Sequence, residues 1–324
     1  MAEWTLSAAL NRALLDALDE DPRVLVFGED VGRLGGVFRV TDGLQAKFGE
    51  DRVFDTPIAE SGFLGAAIGL ALVGWKSVVE MQFDGFSYPA FEQLVSHVAK
   101  YRNRTRGRVE LPIVVRIPSF GGIRGKEHHG ESPETYFVHT AGLKVVAPSG
   151  ALDGYRLLRA AIADPDPVVF LEPKARYWAK EECELSTEGP GIGEGLVARE
   201  GDDCVVFAYG SMLARCLDAA DAVAPEGIAA RVVDLRSLAP LDVELIGRCA
   251  RETGRAIVVH EAPRSLGMGA EVTARIVEEA FDYLQAPVAR VTGWDVPYPP
   301  AALEARYLPS VDRIADAIRQ VTSY

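Results

Sequence analysis

The sequence predicts an α/β protein in two units, each a mostly parallel sheet covered by helices on both faces. Three observations carry this. The 324 residues exceed one ordinary domain. Short continuous apolar runs recur down the chain, as strands buried on both faces require. Amphipathic helical segments separate them, which is the βαβ rhythm of a parallel sheet.

The elements follow in order. Leu6, Leu10, Leu14 and Leu18 recur every four positions behind Thr5, a helix with a threonine cap. "RVLVFGED" is a buried strand ending in acids. Thr41 to Phe48 is expected as a helix stopped by Gly49, "RVFDT" as a short strand, Ser61 to Gly74 as a helix and "KSVVEMQF" as another buried strand. A long helix is expected from Ser87 through about Asn103, followed by "PIVVRIP", "GLKVVAP", a helix from Ala151 to Ala163, and "PVVFLEP". From Lys174 to Glu200 the rhythm breaks into charges and "STEGPGIGEG", expected to be an interdomain linker. A second series then runs "CVVFAYGS", a helix from Met212 to Val223, "AARVVDL", a helix from Leu241 to Thr253, "RAIVVHEAP", a helix around Gly269 to Phe281, "VARVTGWD", and a last helix from Val311 to Val321. The expected division is 1–175, a linker at 176–200, and 201–324.

Composition narrows the function. A hydrophobic content of 48% with 25% charged residues is ordinary for a soluble globular protein, and a net charge of −13 argues against nucleic acid or an anionic membrane as the main partner. The longest apolar run, Leu64 to Trp75, is too short to span a bilayer, and the amino terminus lacks a basic region before its amphipathic helix, so an intracellular, cytoplasmic location is expected. Cys183, Cys204, Cys216 and Cys249 have no C-x-x-C spacing; zinc ribbons are not expected, and three of them lie in apolar runs as reduced core residues. Nucleotide-binding and hydrolase motifs are absent; "GPGIGEG" has the glycines of a phosphate loop but neither the strand before nor the helix after.

Parallel sheets bind ligands at the carboxyl ends of their strands, so the loops after "VLVFGED", "RVFDT", "VVEMQF" and "VVRIP" are the places to look for chemistry. Three constellations stand out. Glu60 opens a helix whose Gly62, Gly65, Ala66 and Gly69 leave one face almost without side chains. Such a face admits close packing, and the acid suits either a dipole-stabilised surface position or a dry interface where it exchanges a proton with a ligand nitrogen. "RIPSFGGIRGKEHHGESPE" is a long glycine-rich loop after a strand, with His128 and His129. It suits a mobile surface loop, or a histidine serving as general acid or anion contact. In "EMQFDGFSYPAFEQL", Gln82, Phe83 and Phe86 sit where a strand gives way to a helix; the rings suit a core, or stacking on a flat heterocycle.

The motifs "GEDVG", "GGVF", "DTPIAESGFLGAAIGLAL", "FEQLVSHVAKYR", "HHGESPE", "HTAGLKVVAPS", "DPVVFLEPK" and "VTGWDVPYP" together cover essentially the whole chain. In this order and spacing they resemble the beta chains of the thiamine-diphosphate-dependent decarboxylating component of 2-oxoacid dehydrogenase complexes. The resemblance implies a transketolase-like fold, a pyrimidine-binding domain followed by a smaller carboxyl-terminal domain. It implies an α2β2 heterotetramer with the cofactor between alpha and beta chains, and a lipoyl acyltransferase core as further partner. The alpha chain would supply the diphosphate and Mg²⁺ site, whose G-D-G…N-N motif is absent here. Glu60 matches the glutamate that hydrogen-bonds the aminopyrimidine N1′ and favours its imino tautomer. Phe86 matches the aromatic neighbour of that ring, Gln82 a polar contact, and His129 the active-site histidine that meets the substrate carboxylate or the acyl transfer to lipoamide. Where the family usually reads H-S-Q-S-P, this chain reads His129-Gly130-Glu131-Ser132-Pro133. A structural K⁺ in some members implies a site at Leu111, Ile113, Val114, Ala161, Asp164 and Asp166, with Asp166 in place of the usual Asn; main-chain oxygens and an acid suit a hard cation. "VVHEAPR" and "DVPYPP" are closer to branched-chain 2-oxoacid members than to pyruvate or acetoin members. A non-catalytic scaffold with the same fold is the alternative of another kind.

Overall fold

The computed structural model describes residues 2–126 and 128–324; Met1 and Glu127, the latter an acid of the histidine loop, lie outside the described residues. The chain begins with β1 (Ala2–Thr5) and α1 (Leu6–Glu20), where the Thr5 hydroxyl accepts the Ala8 N–H at 3.2 Å as expected of the cap. β2 (Val24–Gly28), α2 (Leu44–Phe48), β3 (Val53–Asp55), α3 (Glu60–Leu72) and β4 (Lys76–Glu80) follow. α2 starts three residues later than expected, because Gly43 is left-handed with φ of 75° and cannot lie within a helix.

The long helix expected from Ser87 is broken. α4 (Tyr88–Ser96) ends at His97, with φ −120° and ψ −66°; a 3₁₀ turn and α5 (Tyr101–Arg104) complete the segment. The break seats the adjacent residues Val98 and Ala99 together in the core, a gain the apolar periodicity does not reveal. The unit closes with β5 (Ile113–Ser119), α6 (Glu134–Val138), β6 (Lys144–Val146), α7 (Ala151–Ala163) and β7 (Val168–Pro173).

The charged stretch that follows contains two strands. β8 (Lys180–Cys183) pairs antiparallel with β1, and β9 (Leu196–Arg199) pairs antiparallel with β11 (Ala230–Asp234). Neither shows a buried apolar run: β8 exposes Lys180 and Glu182, and β9 exposes Leu196 and Ala198, which conceals the pattern. The second series comprises β10 (Cys204–Ala208), α8 (Met212–Val223), β12 (Ser237–Ala239), α9 (Val243–Thr253), β13 (Ala256–Pro263), α10 (Met268–Ala280), β14 (Ala289–Gly293), α11 (Glu304–Tyr307) and α12 (Val311–Thr322).

Two larger sheets result, in strand order β12-β6-β7-β5-β4-β2-β3 and β14-β13-β10-β11-β9, parallel except for the antiparallel edges β12 and β9. β12, from the second series, borders the first sheet. α1 and α7 pack together on one face of that sheet, while α3 and α4 cover the other. The second core runs on without interruption from Leu64 and Leu94 to Val205, Phe207 and Val258 of the second sheet. The two units are therefore cemented by apolar packing, and loops from one reach the strand ends of the other. All four cysteines are free and buried.

Candidate functional site

The carboxyl ends of β2 and β4 lie side by side, since Gly28 pairs with Glu80, and β5 runs past them from Arg116, the partner of Glu80, to Ser119. Glu60 is the first residue of α3, behind Ala59, whose side chain supplies no cap. Its carboxylate thus sits where the unpaired first-turn N–H groups favour negative charge. It is 8% exposed although neighbouring Ile58 is 84% exposed. The acid is folded inward, out of bulk water.

Beside it lies Glu29, the residue after β2 and equally buried. Burial, then the charges of Glu60 and Asp30, push the Glu29 carboxyl up to about 7. Glu29 Oε1 is buried with no partner among the described residues. Two acids in one dry recess, one of them holding its proton near neutrality, form a site that can give and take a proton.

Asp30 extends the recess. Its Oδ2 accepts from Gln82 Nε2 at 2.7 Å, tying the end of β2 to the end of β4. Next to Gln82, the Phe83 ring lies 5.7 Å from Phe86 and 4.3 Å from His129, with Phe86 5.6 Å from His129. Phe38 closes the far side against Phe83 and Tyr177. The histidine loop therefore folds back onto the aromatic stretch, and the second and third constellations become one wall. Glu60 neighbours Glu29, whose chain neighbour Asp30 binds Gln82, the residue before Phe83. His128 lies 60% exposed and outside this wall.

Below the recess the sheet holds charges in its interior. Arg116 donates to Glu80 Oε2 at 2.6 Å and to both oxygens of Glu172 at 2.7 and 3.0 Å, and Tyr177 donates to Glu172. Burial opposes the Arg116 charge, but Glu172 and Glu80 hold its pKa above the usual arginine value. Lys174 Nζ donates to Asp84 Oδ2 at 2.8 Å and to the Pro118 carbonyl at 3.2 Å.

Glu134 on α6, fully buried, accepts from the Tyr209 hydroxyl at 2.6 Å, and burial pushes its carboxyl up to about 7. Glu29 and Glu134 thus keep protons in the folded chain up to about 7, whereas unfolded glutamate releases its proton near pH 4.3. Across that interval the folded state binds more protons, so stability falls as pH rises through it. The thermal midpoint of the free chain is expected to drop between about pH 4 and about pH 7, and Glu134→Gln is expected to flatten the drop. An unchanged slope in that variant contradicts the assignment.

The residues matched to a K⁺ site cluster, but their acids already have cations. Lys144 Nζ donates to both oxygens of Asp164 at 2.7 and 2.6 Å, and Arg102 lies 3.2 Å from Asp166. Leu111 and Ala161 present main-chain oxygens that accept from Ile113 and Asp164 N–H groups at 2.8 and 3.3 Å. Val114 lies within β5. No group of three or more metal-ligating side chains occurs among the described residues.

Glu29, Arg116, Glu172 and Lys174 were not singled out from the sequence. For Arg116 and Glu172 a signal existed, because charges inside continuous apolar strands are buried and need partners. Glu29 lay in a loop worth watching, but nothing local distinguishes it from Asp30.

The transketolase pyrimidine-binding domain family matches residues 2–179, and the transketolase C-terminal domain family residues 193–314. A 3-methyl-2-oxobutanoate dehydrogenase subunit beta of Mycobacterium tuberculosis is 56% identical, over 98% of this chain and 91% of the relative. The chain belongs to the beta subunits of 2-oxoacid dehydrogenases. A pyruvate dehydrogenase E1 component subunit beta of Leifsonia xyli is 49% identical over 98% of this chain and 94% of that one. A 2-oxoisovalerate dehydrogenase subunit beta of Pseudomonas aeruginosa is 42% identical over 99% and 95%. Among solved structures, a split-gene transketolase, an inactive beta4 tetramer, superposes with a TM-score of 0.80 at 25% identity, covering 98% of both chains. The family depends on thiamine diphosphate and works as the beta half of a complex with an alpha partner. No helix among the described residues is long and apolar enough to cross a membrane.

Proposed function

We propose that this beta subunit activates thiamine diphosphate through Glu60 for the oxidative decarboxylation of branched-chain 2-oxoacids, with acyl transfer to lipoamide. The observation that carries it is the burial of Glu60 at the start of α3, beside Glu29 and joined through Asp30 and Gln82 to a wall of rings. The recess suits an aminopyrimidine: it offers buried carboxyls, one oxygen of which lacks a partner, and flat apolar surface. When bound, the cofactor supplies the nucleophilic carbon and the electron sink for decarboxylation.

The chain's own residues do the rest. Glu60 holds a proton at the pyrimidine N1′, and Glu29, protonated near neutrality, keeps a second negative charge from forming beside it. Phe86 and Phe83 exclude water along one side, and Gln82 orients the polar edge. His129, on the aromatic wall, meets the substrate carboxylate or the lipoyl acceptor. His129→Ala is expected to impair reductive acylation or substrate binding more than cofactor affinity; equal losses of acylation and of cofactor affinity contradict that division.

The alpha subunit supplies the diphosphate and Mg²⁺ ligands, in an α2β2 assembly that also docks on a lipoyl acyltransferase core; the beta chain is active only with alpha. α3 favours such a partner. Gly62, Ala66 and Gly69 are exposed along one line, Gly69 has open space where a Cβ would stand, and Val73 beyond them is 75% exposed. Domains of 1–175 and 201–324 with a connection at 176–200 fit this division of labour. A K⁺ at the turn after α7 would rest on main-chain oxygens, because Lys144 and Arg102 neutralise both acids. A higher thermal midpoint in K⁺ than in Na⁺ supports that site, and equal midpoints oppose it.

The branched-chain substrate is favoured by the 56% identity to the Mycobacterium relative and by "VVHEAPR" and "DVPYPP", while the pyruvate relative at 49% stands above the 2-oxoisovalerate one at 42% and keeps the alternative in play. In the complex reconstituted with its alpha subunit, 3-methyl-2-oxobutanoate is expected to be decarboxylated faster than pyruvate. A clear preference for pyruvate overturns the substrate assignment and favours the pyruvate or acetoin alternative.

A further inference from the structure

The loop carrying His129 leaves β5 at Ser119 and ends at α6, in a backbone shape that is costly to keep. Phe120, Arg124 and His128 have φ of 70°, 54° and 67°. Each such non-glycine residue is strained and persists only where its surroundings impose it. The groups that impose it come from the other half of the chain.

Glu261 on β13, 3% exposed, accepts the Gly121 N–H at 2.8 Å through Oε2. Glu304, the first residue of α11 and 5% exposed, accepts the Gly122 N–H at 3.1 Å and the Arg124 N–H at 3.1 Å. Three amide donors of the loop, at Gly121, Gly122 and Arg124, are thus met by two carboxylates, in charge-assisted bonds. Tyr298, in "DVPYPP", donates its hydroxyl to Glu304 Oε1 at 2.6 Å. Its ring is wedged between the two ends of the loop. A Cβ on Gly121 would fall 2.1 Å from the Tyr298 hydroxyl oxygen, and one on Gly130 would fall 2.4 Å from ring carbon Cε1. Glycine after His129 is what leaves room for the wedge.

We propose that Glu261 and Glu304 are positioning residues of the reaction, which fix the described loop residues 120–126 and 128–131 and through them the place of His129, with Tyr298 as the wedge that orients Glu304. The catalytic part rests on the role of His129 proposed above; the holding of the loop does not. The hydrogen bonds that Glu304 and Glu261 make here run to main-chain amides of the loop and to Tyr298. Their route to catalysis is therefore the loop they bind.

The test uses the complex reconstituted with its alpha subunit, carrying Glu304→Ala, Glu261→Ala, Glu304→Gln or Tyr298→Phe, with His129→Ala alone and combined with Glu304→Ala. Amide hydrogen exchange of residues 120–126, thiamine diphosphate affinity, and kcat and KM with a lipoylated acceptor domain are measured. Glu304→Ala and Glu261→Ala are expected to speed exchange of the loop amides and to lower kcat by about tenfold or more, with cofactor affinity unchanged. Glu304→Gln, which keeps an oxygen acceptor, recovers most of both. Tyr298→Phe, which removes one hydroxyl, shifts both in the same direction by less. In the His129→Ala background, Glu304→Ala costs little further activity, because the two residues act as a unit. Unchanged exchange in the alanine variants overturns the holding of the loop. Fully additive losses of kcat, or cofactor affinity falling in step with kcat, overturn its catalytic role. Full turnover by His129→Ala alone refutes the histidine's role and the catalytic part with it, while the exchange measurement still decides whether the carboxylates hold the loop.

Discussion

Glu60→Gln is expected to lower turnover of the reconstituted complex by about 10²–10⁴-fold, the range associated with losing a positioned proton-transfer group. The substitution is nearly isosteric and keeps a hydrogen-bonding oxygen, so folding and assembly with alpha are expected to survive. What disappears is the ability to hold or release a proton inside the recess. Glu29→Gln makes the complementary case. Because Glu29 already holds its proton up to about 7, the amide resembles its working form, and the loss at neutral pH is expected to be much smaller than for Glu60→Gln. The activity ratio of the two variants, measured with 3-methyl-2-oxobutanoate at constant cofactor saturation, checks both. Wild-type turnover in Glu60→Gln would favour a non-catalytic scaffold that keeps the fold.

Arg116→Met is expected to destabilise the chain by about 3–5 kcal/mol, because removing one partner of a buried ion network leaves uncompensated charge. Arg116 and Glu172 are wholly buried and Glu80 nearly so, and the three span adjacent strands β4, β5 and β7. Methionine fills much of the volume, so the loss reports the stranded carboxylates more than a cavity. Burial raises the Glu80 pKa even with the arginine present. Without it, protonation becomes the easier escape, and the variant is expected to regain stability on acidification. Denaturant unfolding of the free chain measures both effects. Combining Arg116→Met with Glu80→Gln and Glu172→Gln is expected to recover a large part of the loss. A single variant as stable as the parent contradicts the network's importance.

Much of this was legible in the residue order. The alternation of buried runs and amphipathic segments located most strands and helices, because a parallel sheet buried on both faces leaves an unmistakable pattern. Glu60 was legible because an isolated acid ahead of a glycine-rich apolar helix is conspicuous. Features set by long-range contact were not. The break at His97 depends on what Val98 and Ala99 meet in the core. β8 exposes Lys180 and Glu182 and buries only Cys183, and it is held as a strand by its pairing with β1. Glu261 and Glu304 lie 140 and 182 residues along the chain from Gly121 and Gly122, the amides they bind, and Tyr298 comes from the same distant stretch. "DVPYPP" was legible as a motif bearing on substrate, whereas its tyrosine packs on the histidine loop.

The central claim is that Glu60 faces the pyrimidine ring of the cofactor. Its most direct test is a structure of the reconstituted complex with thiamine diphosphate bound, read at one distance. A Glu60 carboxylate oxygen is expected within hydrogen-bond reach of N1′, about 2.6–3.2 Å. A Glu60 side chain turned to solvent, with another residue or water alone at N1′, would contradict the account.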